Sequence, residues 1–234
     1  MTPEYNHALI IGAGSGLSAS LARLFHQKGL RVSLAARNTA KLDALAADTG
    51  AACFDCDAGD ARSVAGLFAE LDNGGAPDVV VYNPSARVRG PFISLDPSAV
   101  ENAVQITALG AFFAAQQAAQ RMVPAGRGAV LFTGASAGVK GYPQSASFAM
   151  GKFAMRGLAQ SMARELHPQG VHVGHFVIDG GIRNAERPER VEEAESPDSM
   201  LCPDAIARSY WHFLEQDRSS WAWEIELRPW VERF

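Results

Sequence analysis

The sequence has few cysteines, no concentrated basic charge and no long hydrophobic run. Its 234 residues include three cysteines, too few for a disulfide framework and typical of a reducing cytoplasm. The formal net charge is −4 and lysine and arginine form no cluster, which argues against nucleic acid or an anionic membrane as a partner. No apolar run reaches the roughly 18 residues that span a bilayer, and residues 1–7 lack the pattern of a signal peptide. We therefore expect a cytoplasmic protein.

Metal-binding patterns are equally sparse. Cys53 and Cys56 form a C-x-x-C, but a structural zinc site takes four ligands and only Cys202 remains. A redox pair would begin a helix, whereas these cysteines end a strand-like run. His172 and His175 are three positions apart in a predicted strand, so their side chains face opposite sides. We expect structural roles for these residues and no metal site.

What the sequence does contain is a regular alternation of strand and helix patterns. Short apolar runs predict strands at 8–11, 31–35, 51–55, 78–82, 129–132, 171–178 and 222–227. Apolar spacings of three and four predict a helix from Leu17 and helices at 39–47, 61–71, 97–123, 148–166 and 203–214, with Thr39 as an N-cap. The alternation predicts an α/β fold, a parallel sheet with helices on both faces. No linker or repeat divides the chain, so we expect a single domain over 1–234.

The most informative stretch is residues 9–18, L-I-I-G-A-G-S-G-L-S. A predicted strand ends at Gly12, Gly14 and Gly16, and a predicted helix follows directly. Glycine lets the backbone turn sharply and approach a ligand, and a helix N-terminus attracts phosphate. Strand, glycine turn and helix in this order indicate dinucleotide binding. The alternative is a tight turn that binds nothing.

The end of the second predicted strand indicates which dinucleotide is bound. An acidic residue there favours NAD, whereas an arginine accommodates the 2′-phosphate of NADP. This chain has Arg37 and no carboxylate at residues 34–38. A guanidinium matches phosphate geometry, so the sequence predicts NADP(H) in preference to NAD(H). Lys41, one turn further on, either assists or faces solvent, and a solvated Arg37 is the alternative.

Two loops are expected to shape the substrate pocket, residues 87–96 and 183–199. Neither carries a recognisable chemical motif, so the substrate cannot be named from the sequence. The second loop is charged, contains proline and shows no core pattern. Its length fits either a mobile flap over the site or a loose surface excursion.

The chain as a whole resembles the short-chain dehydrogenase/reductase family. The motifs that carry the resemblance are Gly12 and Gly16 with Ser18 in place of a last glycine, Cys56 with Asp57, the segment 83–86 (N-P-S-A), Gly138 with Gly141, and Asp179 with Gly180. The resemblance implies a single-domain Rossmann fold with a parallel seven-stranded sheet in the order 3-2-1-4-5-6-7. It implies a cofactor site formed by Gly12, Gly14, Ser15, Gly16, Leu17, Arg37, Asp57, Asn83, Lys152, Gly180 and Ile182.

The same resemblance implies an incomplete catalytic set. The family uses a Tyr-x-x-x-Lys pair, in which the phenol exchanges a proton with the substrate, helped by a serine and an asparagine. Here the motif reads F-A-M-G-K, so Lys152 is present and Phe148 stands at the tyrosine position. The serine position falls on Ala135 and the asparagine position near Thr107.

Other hydroxyl groups lie close by in the sequence. Ser136 follows Ala135, Tyr142 lies in the loop after the fifth core strand, and Ser147 precedes Phe148. Each is a candidate proton carrier, and each has the alternative of an ordinary loop or backbone-bonded hydroxyl. The enoyl-reductase variant of the family spaces its tyrosine as Y-x(6)-K, and that position here is Ser145. We take Lys152, Ser136 and Tyr142 as the candidate catalytic residues.

Two interpretations of function follow. The first is an NADP(H)-dependent oxidoreductase acting on a small carbonyl or alcohol. The second is an NADP(H)-binding protein without turnover, acting as a sensor, regulator or partner subunit. In the family, helices equivalent to 97–123 and 148–166 build the main interface, which implies a homo-oligomer, a dimer or tetramer. The three tryptophans after residue 220 fit either an interface or an edge strand packed on its own core.

Overall fold

A parallel seven-stranded sheet forms the middle layer of the molecule. The structure is a computed structural model that describes residues 4–193 and 195–232. The sheet contains β1 (His7–Ile11), β2 (Arg31–Ala36), β3 (Ala52–Asp55), β4 (Val79–Tyr82), β5 (Gly128–Thr133), β6 (Val171–Ile178) and β9 (Glu224–Leu227). The spatial order is β3-β2-β1-β4-β5-β6-β9, which confirms the predicted order. Two short strands, β7 (Gly181–Ile182) and β8 (Met200–Leu201), pair only with each other.

Helices cover both faces of the sheet, as predicted. The α-helices are α1 (Leu17–Gln27), α2 (Asp43–Thr49), α3 (Ala61–Asp72), α4 (Pro97–Val104), α5 (Gly110–Ala125), α6 (Ala146–Leu166) and α7 (Pro203–Leu214). One core lies under α1, α2 and α7 and the other under α3, α5 and α6. Alternate residues of a strand enter different cores. In β1, for example, Ile10 packs in the first and Leu9 in the second.

The predicted helix at 39–47 has different bounds, and Thr39 stands at the N-cap position of its first turn without a capping bond from its side chain. A 3₁₀ turn, Ala40–Leu42, precedes α2, which runs on to Thr49. The Thr39 hydroxyl donates instead to Asp55 at 3.3 Å, and the Asn38 side chain accepts from the Ala40 N–H at 3.1 Å. The Asn38 side chain therefore bonds the first free N–H group, which is the role predicted for Thr39.

The predicted helix at 97–123 is also not continuous. A π-helical segment, Gln105–Leu109, separates α4 from α5. Inside it, the Ile106 carbonyl accepts a hydrogen bond from the buried hydroxyl of Tyr82, at the end of β4. Gly110 follows, and a Cβ there would collide with Tyr82 and Ala58. The helix thus widens where it packs against the end of the sheet, a change that apolar periodicity does not reveal.

The two histidines of β6 are structural, as predicted. His172 is stacked between Phe213 and Trp221, with ring centres 4.0 and 4.3 Å away. His175 lies on the other side of the strand, with Nδ1 3.0 Å from Glu224. Both side chains are fully buried. Burial lowers the pKa of His172 to about 3 and that of His175 to about 4. The described residues contain no cluster that could hold a metal ion.

Two of the three C-terminal tryptophans pack against side chains of the fold and one is exposed. Trp221 packs on His172, and Trp223 packs against the core on the α6 side. Trp230 is 81% exposed. Strand β9 forms an edge of the sheet beside β6. In the part of the chain described by the structure, no helix combines the length and apolar character that crossing a bilayer requires.

The buried histidines predict that the fold weakens in mild acid. A free histidine takes up a proton near pH 6.5, while His172 in the folded protein stays neutral down to about pH 3. Its contribution to stability is therefore present above pH 6.5 and is lost as the pH falls toward 3. His172→Phe keeps the aromatic stack and removes the titration. Between pH 7 and pH 5 this variant should lose about 2 kcal/mol less unfolding free energy than the parent.

Urea unfolding at the two pH values measures this difference. His26→Gln is the matched control, because His26 is exposed in the last turn of α1. Between pH 7 and pH 5, this variant should lose as much unfolding free energy as the parent. An identical pH dependence in His172→Phe and the parent would contradict the assignment.

Candidate functional site

The carboxyl ends of β1, β2, β4, β5 and β6 open into one cleft of about 1280 Å³. In a parallel sheet this is the edge at which ligands bind. The cleft is lined by the glycine turn, the end of β2, the loops after β4 and β5, the start of α6 and the segment after β7. All the predicted cofactor and catalytic residues belong to this lining.

The glycine turn is held in a tight conformation at the start of α1. Gly12 has a φ of +79°, and a Cβ there would lie 2.7 Å from the Pro84 ring. The Ser18 hydroxyl donates to the Gly12 carbonyl at 3.2 Å and accepts from the Asn83 side chain at 2.8 Å. Ser18 thus ties the turn to the loop after β4. Gly14 has no atom within 4 Å of its Cβ position, so its backbone is open to the cleft.

The segment after β7 reaches back to this turn. The Asn184 side chain donates to the Ser15 hydroxyl at 3.4 Å, and a Cβ on Gly16 would lie 3.3 Å from the same amide. Gly180, Ile182 and the buried Leu17 complete the wall at this end. The predicted flap therefore begins at the cleft. Residue 194, which belongs to it, lies outside the described residues.

Arg37 and Lys41 are exposed where β2 ends, at the rim of the cleft. Neither side chain forms a hydrogen bond or ion pair within residues 4–193 and 195–232, so both are available to a ligand. Asp57 lies across from them after β3, and its carboxylate accepts from the Gly59 N–H at 2.9 Å. This end of the cleft can accept an adenosine with a phosphorylated ribose.

Lys152 is buried at the opposite end of the cleft. Its ammonium group donates to the Thr133 carbonyl, at the end of β5, over 2.6 Å. Burial, and secondly the charge of Arg87, lower the pKa of Lys152 to about 7. Phe148 lies one turn earlier on α6, with its ring centre 5.8 Å from the Lys152 nitrogen. Among the described residues, no hydroxyl lies within hydrogen-bond distance of that nitrogen.

Ser136 and Tyr142, the two hydroxyl candidates, also line the cleft. Ser136 begins a 3₁₀ turn that packs closely on α6. A Cβ on Gly138, in the same turn, would lie 3.1 Å from the Lys152 carbonyl oxygen. Tyr142 is 40% exposed, and the Lys140 nitrogen lies 5.6 Å from its ring centre. Gly134 and Ala135 lie between β5 and Ser136. Both hydroxyls share the cleft with Lys152, and their roles stay predictions.

Comparison with known proteins agrees with this geometry. Residues 6–193 match the family model of the short chain dehydrogenases. A (+)-borneol dehydrogenase from Salvia officinalis is 32% identical over 188 residues, which cover 75% of this chain and 70% of that protein. The chain belongs to the short chain dehydrogenase family.

Solved structures agree as well. A short-chain dehydrogenase from Rhodopseudomonas palustris has a TM-score of 0.81 and 30% identity, over 97% of this chain and all of that one. A metagenomic short-chain oxidoreductase in complex with NADP has a TM-score of 0.82 and 25% identity, over 97% of this chain and 98% of that one. Proteins of this family bind nicotinamide cofactors.

The side chains that the sequence analysis missed are arginines on the two substrate loops. Basic side chains dominate the cleft, whose lining contains one carboxylate, Asp57, in the described part of the chain. The basic residues of the lining are Arg37, Lys41, Arg87, Arg89, Lys152, Arg183, Arg187 and Arg190. Five of the eight lie on these loops, three of them within 183–190 and two beside Val88, where no helix or strand pattern marks them. The one available signal was the repetition of arginine in R-V-R-G and in R-P-E-R.

Two hydroxyls fix the loop that follows β4. Ser147 accepts from the Val88 N–H at 2.9 Å and donates to the Val88 carbonyl at 3.1 Å. Thr107, in the π-helical segment, accepts from the Ala86 N–H at 3.1 Å. Ser147 is therefore a backbone-bonded hydroxyl, one of the alternatives left open for it, and Thr107 shapes the same loop.

The glycine turn predicts opposite effects for two substitutions. Gly14→Val places its side chain in open space at the cleft, so the fold should be unchanged while NADPH binding weakens at least about tenfold by blocking close approach. Gly12→Ala places a Cβ at positive φ against Pro84 and should cost about 1–3 kcal/mol of stability. Thermal unfolding and NADPH fluorescence titration separate the two effects. Gly14→Val that binds NADPH like the parent would show that the dinucleotide does not lie on this turn.

Proposed function

We propose that this chain is an NADP(H)-dependent oxidoreductase that interconverts a small carbonyl compound and its alcohol, with an incomplete catalytic set. The supporting observation is the placement of Lys152 and an open glycine turn at the two ends of one cleft. Membership of a dehydrogenase family supports the reaction class.

The residues of the cleft fit this cofactor. The open backbone at Gly14 and the adjoining Gly16 would hold the pyrophosphate. Arg37 and Lys41 would hold the 2′-phosphate, and Asp57 would face the adenine side. Lys152 would hold the nicotinamide ribose. The bound cofactor supplies the hydride acceptor or donor of the reaction. A neighbouring structure contains NADP, which supports the choice of cofactor class.

The chain must move the proton without a phenol at Phe148. General acid–base transfer typically contributes about 10²–10⁴-fold. Ser136 and Tyr142 line the cleft and are the proposed replacements, with water as a third carrier. Lys152 itself can gain or lose a proton near neutral pH, because burial lowers its pKa to about 7.

The second function, NADP(H) binding without turnover, has one observation in its favour. The residue one turn before Lys152 is Phe148, whose ring has no proton to transfer, and Lys152 bonds to a backbone carbonyl. In that case the same cofactor residues serve a sensor, a regulator or a partner subunit.

We also propose a homo-oligomer, a dimer or tetramer, assembled through α4, α5 and α6. The exposed apolar side chains Phe112, Met150 and Phe153 on α5 and α6 support it, with exposures between 42% and 53%. The segment 183–199 is proposed as a flap over the bound cofactor, supported by the Asn184–Ser15 contact. A cytoplasmic location stays a prediction, and it rests on three free cysteines.

The cofactor assignment predicts the effect of Arg37→Ala. Removing the guanidinium should weaken NADPH binding about tenfold or more and leave NADH binding unchanged, because only NADPH carries the 2′-phosphate. Fluorescence titration of both nucleotides measures this. Arg62→Ala on α3 is the control, since Arg62 is exposed outside the cleft lining. Equal affinity of the parent for NADPH and NADH would contradict the preference.

The catalytic assignment predicts a gain of activity. Phe148→Tyr with Ala135→Ser restores the phenol and hydroxyl of the family pattern beside Lys152. NADPH-dependent reduction of a panel of aldehydes and ketones should rise about 10²-fold or more over the parent. A parent with measurable turnover supports the oxidoreductase, and a parent that binds NADPH but turns over only as the double variant supports the second function. No gain with any substrate would mean that these positions do not face the reacting carbonyl.

A further inference from the structure

The cleft is strongly basic although the chain is acidic. Eight basic side chains line it against one carboxylate, while the formal net charge of the chain is −4. A cleft lined by one sign of charge concentrates ligands of the opposite sign. Some of these basic side chains match the phosphates of the proposed cofactor. The remaining ones are available to a second anionic ligand.

The basic residues separate by position. Arg37 and Lys41 lie at the adenosine end, and Arg183 is paired with Glu192 at 3.2 Å. Arg87, Arg89 and Arg190 form a second group, which we call the arginine cluster. All three line the cleft, and burial, then the charges of Arg89 and Arg190, lower the pKa of Arg87. Within the described residues none of these three guanidinium groups has an acidic partner or a side-chain hydrogen bond.

The arginine cluster lies at the reactive end of the cleft. The guanidinium carbon of Arg87 is 3.9 Å from the centre of the Phe148 ring, one helical turn from Lys152. The Lys152 nitrogen lies 5.8 Å from the centre of the same ring, so both cations approach Phe148. The ring supports the guanidinium from one face and leaves its N–H edge free to donate.

The fold fixes this arrangement. The hydroxyl of Ser147, beside Phe148, bonds both the N–H and the carbonyl of Val88. Val88 stands between Arg87 and Arg89, so both arginines are anchored to the start of α6. Three cations held together without a counter-ion cost free energy in the folded protein. An anion bound between them removes that cost.

We propose that the substrate carries an oxyanion, a carboxylate or a phosphate ester, which the arginine cluster binds beside Lys152. This inference rests on the proposed function, since it names the substrate class of the same cleft. Arginine matches both anions because its fork of N–H donors pairs with two oxygens at once. The oxyanion would place the carbonyl or alcohol of the same molecule toward Lys152.

The test is calorimetric titration of the protein saturated with NADP⁺, so that the phosphate sites of the cofactor are filled. Malonate and glutarate form the carboxylate arm, and glycerol 3-phosphate forms the phosphate-ester arm. Malonamide is the uncharged counterpart of malonate, and glycerol is the uncharged counterpart of glycerol 3-phosphate. We expect one anionic arm to bind and its neutral match not to bind. Arg87→Gln and Arg190→Gln should each weaken that binding about tenfold or more.

Arg208→Gln is the matched control, because Arg208 is exposed on α7 outside the cleft lining and the substitution removes the same charge. It should bind the anion like the parent. Thermal unfolding confirms that each variant is folded. The proposal is overturned if no anion binds, if neutral matches bind equally well, or if Arg87→Gln and Arg208→Gln behave alike.

A separate titration with NADP⁺ keeps the two proposals distinguishable. If NADP⁺ binds and the anions do not, the arginine cluster has another role and the proposed function stands. If the anions bind in an Arg87-dependent manner and NADP⁺ does not, the cluster is an anion site and the cofactor assignment is wrong.

Discussion

The burial of the Lys152 ammonium is the constraint on which the site depends. Among the described residues its hydrogen-bond acceptor is the Thr133 carbonyl, so the cation faces a dipole and no counter-ion. Taking an ammonium out of water favours the neutral amine, which is why its pKa falls to about 7. Every charge that enters the cleft therefore acts on this group with little screening. The charges of the arginines, of the cofactor phosphates and of any substrate therefore all influence the pKa of Lys152.

Positioning in this cleft is done mainly by hydroxyl groups on rigid elements. Ser18 on α1 ties the glycine turn to Asn83, Ser147 on α6 holds Val88, and Thr107 in the π-helical segment holds Ala86. The loop after β4 bonds the backbone at its two ends, where Asn83 donates to Ile11 and Gly90 to Gln144, and between them these side chains supply partners. A loop fixed in this way can carry charged side chains that repel one another. The same loop without those bonds would move to separate its arginines.

The sequence predicted the features that rest on local patterns. Strand and helix periodicity gave the sheet and its helical layers, and the three glycines gave the turn at α1. The end of α4 was missed because Gly110 and Tyr82, 28 positions apart in the chain, determine the widened turn together. The arginine cluster was missed because loops 87–96 and 183–199 have no periodicity. Its members are neighbours only after β4 and β7 bring the two loops to one cleft.

Phe148 and Arg87 are best understood as one feature. The family resemblance implies a phenol at the position of Phe148, and the Phe148 ring centre lies 3.9 Å from the guanidinium carbon of Arg87. That guanidinium helps to lower the pKa of Lys152, so an anion bound to it would offset its charge and return the pKa of Lys152 toward its ordinary value. Binding of an anionic substrate would then add a proton to Lys152 in the range near pH 7. On the proposed function, the arginine cluster would link the charge of the substrate to the protonation of Lys152.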